Sequence, residues 1–156
     1  MARKSAGILP YRLRFGDVQV LLVHPGGPFW RNRDEGAWSI AKGEYADSEH
    51  PESAARREFT EETGWEAIGA LSPLGEIRQA GGKYVTAFAL NADFDPQTLS
   101  SNAFELEWPP NSGRMQVFPE VDRAEWFDFE KARERIIAGQ RPFLERLYVL
   151  CRDEHC

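Results

Sequence analysis

The apolar positions of this chain fall into short blocks whose spacing changes along its length. Residues 6–15 and 18–24 are β-branched and aliphatic around Gly16-Asp17, which predicts a β-hairpin closed by a tight turn. Pro10 cannot donate to a ladder, so its place is an edge or a bulge. A Pro/Gly-rich stretch, HPGGPFWRNRDEGAW, follows and is longer than a connection needs, which marks it as a candidate functional loop. AWSIAK reads as a buried strand. From Pro51 to Thr63 the pattern turns helical, with Pro51 suited to the first turn, Ser48 or Asp47 placed to cap and Gly64 placed to stop the helix.

Residues 71–79 and 83–93 predict a second hairpin around Ala80-Gly81-Gly82. SSNAFELEWPPNSGRMQVFPEVD is mostly loop with one short strand at 104–108. AEWFDF is a strand, and two helices follow at 129–138 and 142–152, separated by Gly139 and Pro142. No repeat, low-complexity block or linker divides residues 1–156, so a single domain is expected. Strands before, between and after helices suggest an α/β sandwich with a mixed sheet.

Composition narrows the function classes. The chain has 156 residues, 42% hydrophobic and 28% charged, enough apolar surface for a core without disulfides or a structural metal. A formal charge of −6 argues against a stable nucleic-acid complex, because a general phosphate-backbone binder needs a basic face. A polyanionic substrate would need a borrowed positive charge. The N-terminal apolar run is too short for a signal segment and is interrupted by Pro10, and nothing approaches the roughly 20 apolar residues of a membrane span. With Cys151 and Cys156 both in the C-terminal tail, no disulfide framework is legible, CRDEHC reads as an ordinary tail, and a cytoplasmic location is expected.

The densest chemistry lies in GEYADSEHPESAARREFTEETGW, residues 43–65. On a helix, Glu58, Glu61 and Glu62 are related as i, i+3 and i+4 and share a sector roughly 100° wide. Ala54, Ala55 and Phe59 lie in or beside that sector, so the acidic row borders the face expected to pack on a sheet. The positions four residues after each glutamate hold Glu62, Trp65 and Glu66, so no basic partner follows them in the helix. A carboxylate row of this kind suits a hard divalent cation, Mg²⁺ or Mn²⁺.

The fixed points of the segment are Gly43, five residues, Glu49, seven residues, Arg57-Glu58-Phe59, one residue, Glu61-Glu62, one residue, and Gly64-Trp65. This resembles the Nudix box, the signature of the Nudix hydrolase family, with all seven of its invariant-type positions filled. At a frequency of ~7% per residue type, seven such matches arise by chance about once in a hundred million windows. Two departures concern packing: Phe59 and Trp65 stand at bulky aliphatic positions, and Ala41 stands where many relatives carry proline.

The resemblance implies the family's α/β/α sandwich and metal-dependent hydrolysis of a nucleoside diphosphate linked to another group. It implies metal ligation by Glu58 and Glu62, with Glu61 as a third ligand or as the carboxylate that handles the attacking water. It also implies a backbone carbonyl contribution from Gly43, and an Arg57–Glu49 pair that braces the catalytic loop-helix. A further acidic ligand often comes from the loop before a tryptophan-bearing strand; in FPEVDRAEWF the candidate is Glu120, ahead of Glu125. Lys42 and Lys83 are candidate phosphate contacts, Arg114 a third, and Tyr84, Phe88, Phe29 and Trp30 could stack on a base. The C-terminal QRPFLERL resembles relatives that cut diadenosine polyphosphates. The substrate expected is therefore a dinucleoside polyphosphate or NTP, with oxidised-nucleotide sanitation or RNA 5′-pyrophosphate removal as alternatives and a non-catalytic nucleotide sensor as a third class. A monomer or homodimer is expected.

Overall fold

The computed structural model describes residues 3–154 of the chain. The strands are β1 (Lys4–Arg14), β2 (Asp17–Pro25), β3 (Ala41–Glu44), β4 (Ser72–Gln79), β5 (Lys83–Asn91), β6 (Ala103–Glu107), β7 (Met115–Pro119) and β8 (Val121–Asp128). The helices are α1 (Pro51–Thr63), α2 (Phe129–Arg135) and α3 (Arg141–Glu154). The main sheet runs β4-β5-β1-β2-β8, with β3 pairing on β1 beside that path. β1 and β5 are parallel and the other pairs antiparallel, so the sheet is mixed.

Strand alternation divides the core in two. Ala6, Ile8, Leu21, Val23, Phe88 and Leu90 point to one face, where Ala54, Ala55 and Phe59 of α1 cover them. Leu9, Tyr11, Val20, Leu22, Ala87 and Ala89 point to the other, against Ala132, Phe143, Leu144 and Leu147 of the C-terminal helices. Period-2 strands buried on both faces by helices are what an α/β/α sandwich requires.

One feature of the sheet positions the site. The first half of β1 pairs with β3 at Ser5 to Ile8, and its second half pairs with β2 from Tyr11 onward. Pro10 lies at this changeover, neither at an edge strand nor at a bulge. β2 and β3 therefore diverge from a shared neighbour, and the wedge between them opens toward the C-terminal end of α1.

The structure corrects several sequence expectations. His50, and neither Ser48 nor Asp47, caps α1, its ring nitrogen accepting from the Glu52 N–H at 3.4 Å. AWSIAK is split: Trp38 and Ser39 make isolated bridges to Ile136 and Val23, and the strand proper begins at Ala41. The expected loop at 100–122 contains a second strand, β7, which pairs with β6 as a separate hairpin. β8 starts at Val121, ahead of AEWFDF, and α2 stops at Arg135, after which a 3-10 turn at Ala138–Gln140 leads into α3. Cys151 is disulfide-bonded, which the sequence reading did not include. The last two residues of that tail, His155 and Cys156, lie outside the described residues.

Candidate active site

Helix α1 is set by its ends and its buried face. Pro51 occupies the first turn, where its missing N–H costs nothing, and Gly64 closes the helix in the left-handed conformation, its N–H donating to the Thr60 carbonyl at 2.7 Å. Burial of Ala54, Ala55 and Phe59 fixes the rotation of the helix. Glu58 is consequently buried too, while Glu61 and Glu62 are half-buried along the open edge of the sheet.

β3 runs past this row. Gly43 pairs with Ala6 of β1, and a Cβ at position 43 would lie 1.8 Å from Glu58 Oε2. Only a glycine lets the strand backbone pass so close to that carboxylate.

Arg57 gathers three carboxylates. Its Nε and Nη2 donate to the two oxygens of Glu49 at 2.9 and 2.8 Å, a two-pronged fork across the loop that precedes the helix. Its Nη1 donates to Glu58 Oε1 at 2.7 Å and to Glu61 Oε1 at 3.3 Å. The expectation that helix ion pairs leave the row unpaired is thus corrected for Glu58 and Glu61: the cation lies on their N-terminal side. The Arg57 hydrogen bond, foremost, holds Glu49 below the ordinary carboxylate pKa, with burial opposing and the Arg57 charge assisting. In Glu58 burial wins and raises the pKa, although Arg57 pulls it down.

Glu62 faces the other way, into a cavity of about 330 Å³ whose lining includes Lys42, Glu120 and Trp30. Burial first, then the charges of Glu120 and Glu58, push its carboxyl up to about 7, with Lys42 opposing. Lys42 is lowered by burial and by the like charge of Lys83, with Glu62, Glu44 and Glu58 opposing. Glu62 and Lys42 are therefore partly desolvated together, with the exposed Glu120 in the same lining.

Backbone bonds hold Glu120 there. The Asn102 N–H donates to the Glu61 carbonyl at 3.0 Å, the Glu120 N–H to the Asn102 carbonyl at 2.7 Å, and the Gly26 N–H to the Glu120 carbonyl at 3.0 Å. Glu120 is two backbone hydrogen bonds from α1. Glu125, inside β8 and paired with Leu22, is not among the cavity residues.

The other candidates are dispersed. Lys83 opens β5 close enough to affect Lys42, and Tyr84 beside it is half-buried with the Arg78 guanidinium 5.9 Å from its ring centroid. Phe88 is in the core under α1. Arg114 is exposed at the turn of the β6–β7 hairpin, its carbonyl accepting from the Trp108 N–H, and does not line the cavity. Phe29 packs edge-on against Trp108, whereas Trp30 reaches the cavity.

Sequence reasoning missed Ser39, Ala37 and Ile137, which complete the wall. They arrive through the Val23–Ser39 and Trp38–Ile136 bridges, contacts remote in sequence that no local period announces.

The donors suit a hard divalent cation in kind: carboxylate oxygens beside a strand backbone kept bare by glycine. Among the described residues no three acidic or imidazole side chains already converge on one point, since Glu58 and Glu61 are turned to Arg57.

Comparison with known proteins agrees with this arrangement. Residues 1–147 match the NUDIX domain. An octanoyltransferase of Myxococcus xanthus is 32% identical over 146 residues, 92% of this chain, while the chain spans 36% of that protein's length. Among solved structures, a C. elegans Ap4A hydrolase in a binary complex superposes with TM-score 0.65 at 21% identity, covering 97% of this chain and 99% of the other. The NUDIX domain of Shewanella oneidensis NrtR, complexed with ADP ribose, superposes with TM-score 0.64 at 15% identity, covering 96% and 88%. With the domain match spanning nearly all of its length and the box residues gathered on β3, the loop and α1, this chain belongs to the Nudix hydrolase family.

Proposed function

We propose that this chain is a Mg²⁺- or Mn²⁺-dependent pyrophosphohydrolase acting on a nucleoside diphosphate linked to another moiety, with a dinucleoside polyphosphate of the Ap4A type or an NTP as substrate. The observation that carries the reading is the cavity in which Glu62, Glu120 and Lys42 meet beside the buried Glu58. Glu58, Glu62 and Glu120, with the Gly43 carbonyl, would hold the cation, which when bound neutralises phosphate charge and assists activation of the attacking water. Glu61 is the carboxylate left to hold the proton of that water or to serve as a further ligand. Lys42, with Lys83 beside it, meets the phosphate chain, and Arg57 with Glu49 keeps Glu58 and Glu61 in place. Tyr84 and Arg114 would touch substrate only at its outer end. The fold likeness to the C. elegans Ap4A hydrolase supports the choice of substrate, and retention of every box carboxylate favours turnover over sensing. The same reading has the protein act on small nucleotides in the cytoplasm, as a monomer or homodimer.

Chromatographic detection of the cleavage products of Ap4A, Ap6A, NTPs, 8-oxo-dGTP, ADP-ribose and NADH tests this. Turnover of a dinucleoside polyphosphate or NTP, abolished by EDTA and restored by Mg²⁺ or Mn²⁺, is expected. A metal-supplemented protein that cleaves none of them refutes the assignment.

A further inference from the structure

The cavity has two chemically distinct ends. Lys42, Glu62 and Glu120 form one; Val23, Pro25, Trp30, Ala37, Ile40 and Ile137 supply the apolar part, with Ser39 the one other polar side chain in the lining. A pocket that tells one nucleobase from another must offer unengaged donors and acceptors to the edge of the ring. The Ser39 hydroxyl and the backbone N–H groups at this end are already engaged. The Ser39 hydroxyl donates to the Ile40 carbonyl at 2.7 Å and accepts from the Gln140 side-chain amide at 3.1 Å. The backbone N–H groups of Val23 and Ser39 donate to each other's carbonyls, both at 2.9 Å. That of Ile40 donates to Gln140 Oε1 at 3.0 Å. Those of Ala37 and Ile137 donate to the Asp34 and Trp38 carbonyls at 3.2 and 2.8 Å, and Pro25 has none. What this end offers a ligand is apolar wall and the indole of Trp30.

That indole is carried on a loop anchored at several points. His24, fully buried, places Nε2 2.6 Å from the Arg33 carbonyl and Nδ1 2.8 Å from Asp122 Oδ1. The Arg33 N–H donates to the Trp30 carbonyl at 3.0 Å, and the Arg33 guanidinium lies 5.6 Å from the Trp30 ring centroid. Asp34 accepts from the Trp38 indole at 2.8 Å and also pairs with Arg135. A loop backbone tied in this way leaves less to be ordered when the ring stacks.

We propose that the apolar end takes one nucleobase by stacking on Trp30 and burial against the aliphatic wall, without reading its hydrogen-bonding edge. The protein is then base-tolerant, accepting purine and pyrimidine nucleotides alike and failing to prefer an oxidised guanine over an ordinary one. The proposal rests on the pyrophosphohydrolase reading for the phosphate end. A cavity of about 330 Å³ is at the lower end of the roughly 300–1,000 Å³ range of small-molecule sites, so it holds one nucleoside, and the second base of a dinucleotide lies outside.

Steady-state kinetics on ATP, GTP, CTP, UTP, dGTP and 8-oxo-dGTP with Mg²⁺ test it, beside equilibrium dialysis of ADP, GDP, CDP and UDP, which needs no turnover. The expected kcat/KM values lie within about fivefold of one another, and the four Kd values likewise. Trp30→Ala should raise KM and Kd about tenfold for every base, while Trp30→Phe restores most of the loss, because any aromatic face serves a base of any identity. A preference above about fiftyfold for one base, or a Trp30→Ala variant with unchanged KM and Kd, overturns the proposal. So does the absence of binding by all four diphosphates. Absence of turnover with base-tolerant, Trp30-dependent binding would instead leave the slot standing and remove NTPs from the enzymatic reading, leaving the dinucleoside polyphosphates.

Discussion

The acidic row on α1 has two sides that the structure treats differently. Toward the preceding loop, Glu58 and Glu61 share the Arg57 guanidinium with Glu49, at 2.7 to 3.3 Å. Toward the cavity, Glu62 has burial, Glu120 and Glu58 acting against its charge and only Lys42 acting for it. One side is an internally compensated brace. The other is a charge the folded chain tolerates poorly by itself, which is the condition under which a bound cation contributes most. Sequence spacing places Glu58, Glu61 and Glu62 on one helix, but only the three-dimensional partners distinguish holding from reacting.

The most severe test of this contrast is Glu62→Gln, which keeps shape and removes charge. Loss of kcat/KM by about 10³-fold is expected, within the range ascribed to a positioned acid–base or ligand group. The same variant should melt a few degrees above wild type in EDTA, because it removes a desolvated charge facing two others. An active variant, or one less stable than wild type without metal, would show that Glu62 is not the strained side of the row.

Gly43→Ala attacks the boundary between the two sides. Its Cβ would meet the Glu58 carboxylate at 1.8 Å, so either β3 or the Glu58 side chain must move by about an ångström or more. A displacement of that size at a positioned group is expected to cost about 10²-fold in turnover. Circular dichroism should show the fold retained; near-normal kcat for a folded Gly43→Ala variant would mean that the close approach has no catalytic consequence.

The brace is tested by Arg57→Lys. An ammonium preserves the charge but cannot make the fork to Glu49 while also reaching Glu58 and Glu61. A loss of about tenfold in activity, with a higher Mg²⁺ concentration needed for half-maximal rate, is the expectation for a group that orients ligands. Full activity in this variant would reduce Arg57 to an ordinary surface ion pair.

How much of this was legible in the sequence depends on the distance between the residues involved. The limits of α1, its apolar face and the spacing of Gly43, Glu49, Arg57, Glu58, Glu61 and Glu62 are local properties, and the helix is found at Pro51–Thr63 as its pattern predicts. Glu120 was readable only through family resemblance, since nothing in FPEVD announces its backbone bond to Asn102. β7 escaped because MQVFP is mostly exposed, and its pairing with β6 outside the main sheet leaves it without the one-sided burial that makes alternation visible. The apolar wall of the cavity escaped for another reason: Val23, Ser39 and Ile137 meet through isolated bridges set by the divergence of β2 and β3 from β1. Even the cap of α1 was misplaced, because His50 is an uncommon choice there.

A second arginine–carboxylate cluster provides the control for the brace. Asp93 accepts from Arg12 Nη1 and Arg14 Nη2, both at 2.8 Å, at the far end of β1 from Gly43. The Arg12 hydrogen bond, foremost, holds the Asp93 carboxyl below its usual 3.8, with burial opposing and Arg14 assisting. A carboxylate depressed in the folded state adds stability above its unfolded pKa and loses it as pH falls through the lower folded value. Because Asp93 is half-exposed, Asp93→Asn should cost only about 0.2–1 kcal/mol at pH 7 in chemical denaturation, shrinking in 1 M salt. The difference from wild type should close as pH drops below 3.8. kcat/KM should stay at the wild-type value, in contrast to Arg57→Lys. Similar geometry at the two clusters with opposite effects on turnover would locate the function of the Arg57 fork in what it holds, the glutamates of α1, and not in the strength of its ion pairs; equal losses at both would mean that each acts only through stability.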